Sequence, residues 1–320
     1  INGITTTTFA GQILDGGGTS TVSLVKNGSG QLTLAAQTVY FTNAGNNTFT
    51  GGVTLNQGIL QVNNPFALGG GPVLNGSAVP LGTPGATFAN TGDVNLVGGQ
   101  LNLRGNGGGN DGTIIVGNPT TNGVNVNVRG PVTIDVNQLS ANSGNSFQIN
   151  NLTMTEGSLT MSGGNNYRLR VAGTTTLAGA YANVTFNADL SGALELAGVV
   201  AGTGALNRVV GVGQLRPVIV SGTSNTYTGG TNIVLGMLQV TGNEGNPLGT
   251  GPVNVFPGGQ LLLAGSNSLG AAPLRVLSRF NAMGEVALNA SFNPASILTP
   301  TTFSSAYGTE LGLALPYFTT

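Results

Sequence analysis

Apolar residues in this chain come in runs of three to five, each closed by Gly, Asn or Pro. Examples are Val53 to Leu55, Ile59 to Val62, Leu101 to Leu103, Thr113 to Val116, Val132 to Val136, Leu159 to Met161, Leu194 to Leu196, Val218 to Val220, Met237 to Val240 and Leu261 to Leu263. Runs of that length between turn residues predict short β-strands. Val124-Asn125-Val126-Asn127-Val128 alternates with period two, sending three valines to one side and two asparagines to the other, the pattern of a strand with one buried face. Gly, Asn, Thr and Pro recur too often to leave a window of helical periodicity, so helices should be rare.

Short strands between turns suit either an antiparallel sandwich or a coil of parallel rungs, and an internal repeat favours the coil. Asn47 to Val62 reads NTFTGGVTLNQGILQV and Asn225 to Val240 reads NTYTGGTNIVLGMLQV, the same pattern 178 residues on without a gap. Leu68 to Val73 (LGGGPV) and Leu248 to Val253 (LGTGPV) extend the match, giving a unit of about 27 residues. Units that repeat at this scale bury their apolar faces against their neighbours. The expected fold is an all-β solenoid with rungs of about 20 to 27 residues, some 12 to 15 of them. It should run continuously over 1–290, with repeat copies near 24–79 and 194–265 and a tail or capping segment at 291–320.

The pieces LVKNGSGQLTL (Leu24 to Leu34), NNTFTGGVTLNQGILQV and NTYTGGTNIVLGMLQV resemble the autotransporter-associated β-strand repeat of bacterial passenger domains. A lead-in at Leu194 to Ser224 is similar, with Val212-Gly213-Gln214-Leu215 where the first copy has Gly30-Gln31-Leu32-Thr33-Leu34. The resemblance implies a right-handed parallel β-helix exported to the bacterial surface. The membrane barrel of a full autotransporter has no counterpart in these residues, and Ile1 reads as the start of a processed or trimmed chain.

Composition sharpens this picture. Only 9 Lys plus Arg and 10 Asp plus Glu occur among 320 residues, for a net charge of −1. Polar positions go instead to Asn, Thr, Ser and Gln, with 37 Asn and 55 Gly. In a parallel solenoid a side chain stacks on its equivalent about 4.8 Å away, so charges would face their own kind while amides and hydroxyls can pair along the column. The few cations argue against nucleic acid as a partner, and no run approaches the roughly 18 apolar residues of a membrane helix. Gly51, Gly52, Gly58, Gly229, Gly230 and Gly236 fit tight turns between rung faces. Phe49 and Tyr227 hold one repeat position, either as an aromatic platform for a ligand or, the preferred reading, as packed core. Leu60 and Leu238 are core positions.

No His and no Cys are present, which removes the commonest general base, the thiol nucleophile and the usual transition-metal ligands. An enzyme is not expected, nor any cofactor or metal. The one arrangement that could carry chemistry is Asp93, Asp111, Asp135 and Glu156, spaced near one rung apart and able in principle to align as paired carboxylates or a calcium site. Arg168 and Arg170 flank Leu169 on one side of a strand and could meet an anionic glycan. The expected function is that of an extracellular structural fibre, sheath or filament subunit that associates with itself, head to tail or laterally. The alternatives are a glycan- or host-binding adhesin, with loop Leu103 to Gly112 as the recognition element, and, least favoured, a polysaccharide-degrading enzyme.

Overall fold

Each apolar run forms a strand, and the strands stack in chain order into parallel faces rather than folding back as hairpins. The structure is a computed structural model that describes residues 3–16, 19–35, 47–74, 77–78, 83, 85–89, 91–155, 157–186, 192–209, 216–242, 244–264, 269–276 and 285–288. Glu156, Val212 to Leu215 and the segment 291–320 lie outside the described residues. Three faces of eleven, eight and seven strands make up the body, and a three-stranded antiparallel sheet (Pro72–Leu74, Ser77–Ala78, Thr87–Phe88) stands beside them. Every pairing within the three faces is parallel, so the chain is a parallel β-helix. The only helical element among the described residues is the 3-10 turn Pro119–Thr121.

The faces do not run the same length of the chain. The seven-stranded face extends from Leu24–Lys26 to Val200–Gly202, the eight-stranded face from Thr113–Ile115 to Glu285–Leu288, and the eleven-stranded face from Thr7–Phe9 to Leu274–Val276. Rungs therefore have two parallel faces before about residue 104, three from 113 to 202, and two again from 205 onward, with a different pair at each end.

Inward positions form apolar columns along each face. Leu24, Val53, Val94, Val126 and Leu152 stack on the seven-stranded face, Leu60, Leu101, Ile134 and Met161 on the eleven-stranded one, and Phe147, Leu169, Leu194, Val218, Leu238 and Leu261 on the eight-stranded one. All are buried in one continuous core. At about 25 cal/mol per Å² of apolar surface, that core is the main stabilising term.

Rung length differs from the expectation of about 20 to 27 residues. Stacked residues are 41 apart between Gln61 and Asn102 but 22 apart between Asn232 and Asn254. The long rung contains the antiparallel sheet as an insertion, and the short one lacks a third face. The longest face has eleven strands among the described residues.

Candidate functional site

The repeat turns out to be a corner rather than a rung. In the first copy Val53–Leu55 lies on the seven-stranded face and Ile59–Val62 on the eleven-stranded face. In the second, the equivalent Thr231–Ile233 lies on the eleven-stranded face and Gly236–Val240 on the eight-stranded face. The same strand, turn and strand thus serves two different corners, each in a stretch where rungs have two parallel faces.

The start of the repeat closes the third side of these rungs. Thr226 and Thr228 donate backbone N–H groups to the carbonyls of Val200 and Gly202, the last strand of the seven-stranded face. The Val200 N–H goes to Asn225 Oδ1 at 2.7 Å, so a side chain supplies the acceptor that a further strand would have offered. Asn225 Nδ2 then donates to the Pro247 carbonyl at 2.6 Å, which ties the rung before to the rung after. Asn47 does the same in the first copy, accepting from Ile13 N–H at 2.8 Å and donating to the Ala67 carbonyl at 2.8 Å. Both asparagines are buried. Two residues on, Phe49 and Tyr227 are fully buried in the core, the Tyr227 hydroxyl paired with Thr231 Oγ1 at 2.6 Å. Burial pushes the Tyr227 phenol well above its ordinary value despite that hydrogen bond. Neither ring is available as a ligand platform.

Gly52 and Gly230 have φ of 81° and 84°, and Gly58 and Gly236 have φ of 76° and 86°, a left-handed backbone that suits glycine. Gly51 and Gly229 are kept small by backbone: a Cβ on either would strike the neighbouring rung at Val22 or Gly204. Leu60 and Leu238 are fully buried.

Beneath the second repeat glycine lies a feature that sequence reading missed. A Cβ on Gly58 would stand 2.7 Å from Lys26 Nζ, and one on Gly236 would stand 2.6 Å from Arg208 Nη2. Lys26 pairs in register with Leu55 and Arg208 with Ile233, so the two cations hold one repeat position a rung below. Both are buried at inward positions. Lys26 Nζ donates to the carbonyls of Gly28 and Gln57, and Arg208 Nη1 to the Val209 carbonyl at 2.6 Å, so each cation satisfies carbonyls at its corner. Burial holds the Lys26 amine below its ordinary value and brings the Arg208 guanidinium down to about 10. The available signal was the shared Leu-x-Lys or Leu-x-Arg ahead of each repeat, Leu24-Val25-Lys26 and Leu206-Asn207-Arg208.

A related asparagine, with both backbone partners on the preceding rung, leads into the strand Ser146–Ile149 of the eight-stranded face. Asn145-Ser146-Phe147 repeats the Asn-Thr-Phe and Asn-Thr-Tyr order, and its buried Asn145 accepts from Gly112 N–H at 2.6 Å and donates to the Asn106 carbonyl at 2.9 Å.

Outward positions form the uncharged columns that the low charge content implies. Asn207 donates to Asn183, Asn232 to Asn207 and Asn254 to Asn232, at 2.9, 2.8 and 2.8 Å, a four-residue amide ladder up the eleven-stranded face. On the seven-stranded face Asn127 donates to Asn95 at 3.2 Å.

The carboxylates, by contrast, do not align. Asp93 leads into the seven-stranded face, Asp111 into the eight-stranded face, and Asp135 sits on the eleven-stranded face. Asp93 accepts from Asn125 and Asn127, and Asp135 pairs with Arg104 and Ser162. The expected near-rung spacing fails because each acid enters at a different corner. Among the described residues no cluster of acids could hold a metal ion. Arg168 and Arg170 do share the outward side of their strand, but Arg170 is engaged by Gln148 at 2.9 Å and Glu195 at 3.5 Å. Asp15 accepts from Val22 N–H, Thr50 N–H and Thr50 Oγ1; partial burial works against it, and these bonds together hold its carboxyl below the ordinary value. No helix among the described residues is long and apolar enough to cross a membrane.

A family model described as the passenger-associated-transport-repeat covers residues 24–62 and 218–240, the two corners above. No curated protein and no solved structure matches the chain. The chain is thus a parallel β-solenoid in which two corner segments are similar to the passenger-associated-transport-repeat.

Proposed function

We propose that this chain is a passenger-type domain held outside the bacterial cell, and that its rod works as a structural subunit of a fibre or sheath by associating with further copies of itself. The observation that carries this reading is the outward amide ladder Asn183–Asn207–Asn232–Asn254 on a body of net charge −1. Such a surface satisfies itself by hydrogen bonds and offers little electrostatic repulsion to a second copy. Its chemistry is that of a scaffold, and no reaction is assigned to it. Electron microscopy of the purified chain at rising concentration tests this. Rods that join end to end or side by side support it, and single rods at every concentration refute it.

A second reading, a glycan-binding adhesin, draws on the loops at 105–112 and 138–145. They stack on successive rungs and are stapled together by Asn106, Asn110 and Asn142, which makes them a preorganised pair of neutral, amide-rich loops. Binding on a glycan array that is lost on shortening loop 105–112 would favour this reading over the first.

A further inference from the structure

Asn106 precedes Gly107, and its side chain is held as no other Asn–Gly pair among the described residues is. Asn106 Oδ1 accepts three successive backbone N–H groups, from Leu139 at 3.1 Å, Ser140 at 2.8 Å and Ala141 at 2.9 Å. Its Nδ2 donates to Ser140 Oγ at 2.9 Å. The backbone carbonyl of Asn106, which belongs to the peptide bond to Gly107, accepts from Asn142 Nδ2 at 2.7 Å and Asn145 Nδ2 at 2.9 Å. Gly107 is exposed and has no Cβ to hinder its nitrogen.

We propose that Asn106–Gly107 is a self-modifying site that deamidates through a succinimide. A solvent base removes the Gly107 N–H proton, and the two donors on the adjoining carbonyl stabilise the charge left on that peptide unit. The nitrogen forms a bond to Asn106 Cγ while the carbonyl π pair moves onto Oδ1, where the three N–H groups make an oxyanion hole. The Cγ–Nδ2 bond then breaks as Nδ2 takes a proton, which the Ser140 hydroxyl can pass on and recover from water, and ammonia leaves. Water opens the ring to an aspartate or isoaspartate at position 106. In the aspartate product the carboxylate at Cγ keeps the three N–H donors and binds them more strongly than the amide did. The reaction consumes water alone and adds one negative charge where loops 105–112 and 138–145 meet.

The test compares rates. The folded chain and, separately, synthetic peptides of residues 22–32, 103–113 and 118–128 are incubated in the same mildly alkaline buffer, and conversion at Asn27, Asn106 and Asn122 is followed by peptide mass mapping. Asn27–Gly28 and Asn122–Gly123 serve as internal references, Asn27 Oδ1 being held by the Asn56 side-chain amide. The expected result is conversion of Asn106 at least about tenfold faster in the folded chain than in the peptide, the gain that an oxyanion hole supplies, with no such gain at the references. Asn142→Gly, which keeps the positive φ of that position and removes one donor, should slow Asn106. A folded rate equal to or below the peptide rate overturns the proposal, as does an unchanged rate in Asn142→Gly.

Discussion

At the scale of single residues, the fold depends on a few buried polar groups that mend places where faces begin or end. Asn225 supplies the acceptor for Val200 N–H at the last strand of the seven-stranded face. Asn225→Ala leaves that buried N–H and the Pro247 carbonyl unpaired, a loss of about 1–3 kcal/mol per group. Denaturant unfolding should show the loss, and hydrogen exchange should show reduced protection at Val200. The buried cations behave differently. Arg208 sits in a column with Val184 and Ile233, and its pKa is brought down to about 10. The unfolded chain binds the proton more tightly than the folded one, so below about pH 10 the folded state carries the whole penalty of the buried charge, and stability contributed by this group rises as pH climbs above that. Arg208→Met removes the penalty and should raise resistance to denaturant at neutral pH by about 1 kcal/mol. Asp15 has the opposite sign. Its carboxyl is depressed by the Thr50 and Val22 hydrogen bonds against an opposing effect of burial, so its contribution is present above the ordinary carboxyl pKa and is lost as pH falls through the lowered one. Asp15→Asn should flatten the acid side of the stability curve, measured as melting temperature against pH.

At the scale of elements, the amide ladder is where the neutral composition becomes structure. Asn207 donates down to Asn183 and accepts from Asn232, which in turn accepts from Asn254, so the two middle amides use both ends. Asn207→Asp keeps the acceptor and loses the donor, and adding Asn232→Asp puts two like charges about 4.8 Å apart on one face. The double substitution should destabilise by more than the sum of the single ones, by about 1 kcal/mol, with the excess shrinking in high salt. Most of this level was legible in the sequence. The apolar runs marked the strands, and the shortage of charge implied uncharged columns. What the sequence hid was which face each strand joins. The two repeat copies look interchangeable, yet one turns from the seven- to the eleven-stranded face and the other from the eleven- to the eight-stranded face, because local hydrogen bonding and glycine geometry define a corner without reference to the rest of the rung. The corner cations were harder to find, since their one signal is the shared Leu-x-Lys or Leu-x-Arg ahead of each repeat, where alternation puts the cation on the same side as the buried leucine.

At the scale of the whole molecule, the chain is a stack in which each rung touches only its neighbours, yet its cross-section changes twice. That change explains why spacing arithmetic on Asp93, Asp111 and Asp135 misled: rungs that gain or drop a face, or carry an insertion, shift the phase of everything after them. The repeat's asparagine, aromatic and glycines are the parts that let a face stop without leaving unpaired backbone, which accounts for finding them on both sides of the three-faced stretch. The architecture depends on successive turns lying in register over one another. Because the chain has no cysteine, paired substitutions test this directly. Thr153→Cys with Thr176→Cys, and Asn207→Cys with Asn232→Cys, join residues paired in register on the seven- and eleven-stranded faces. Parallel neighbours lie within the reach of a disulfide, about 4.4–6.8 Å between Cα atoms. Mild oxidation should close both pairs within one chain and leave the cross-face pair Thr153→Cys with Asn232→Cys open. In-register pairs that stay reduced, or that link only between molecules, would contradict the account.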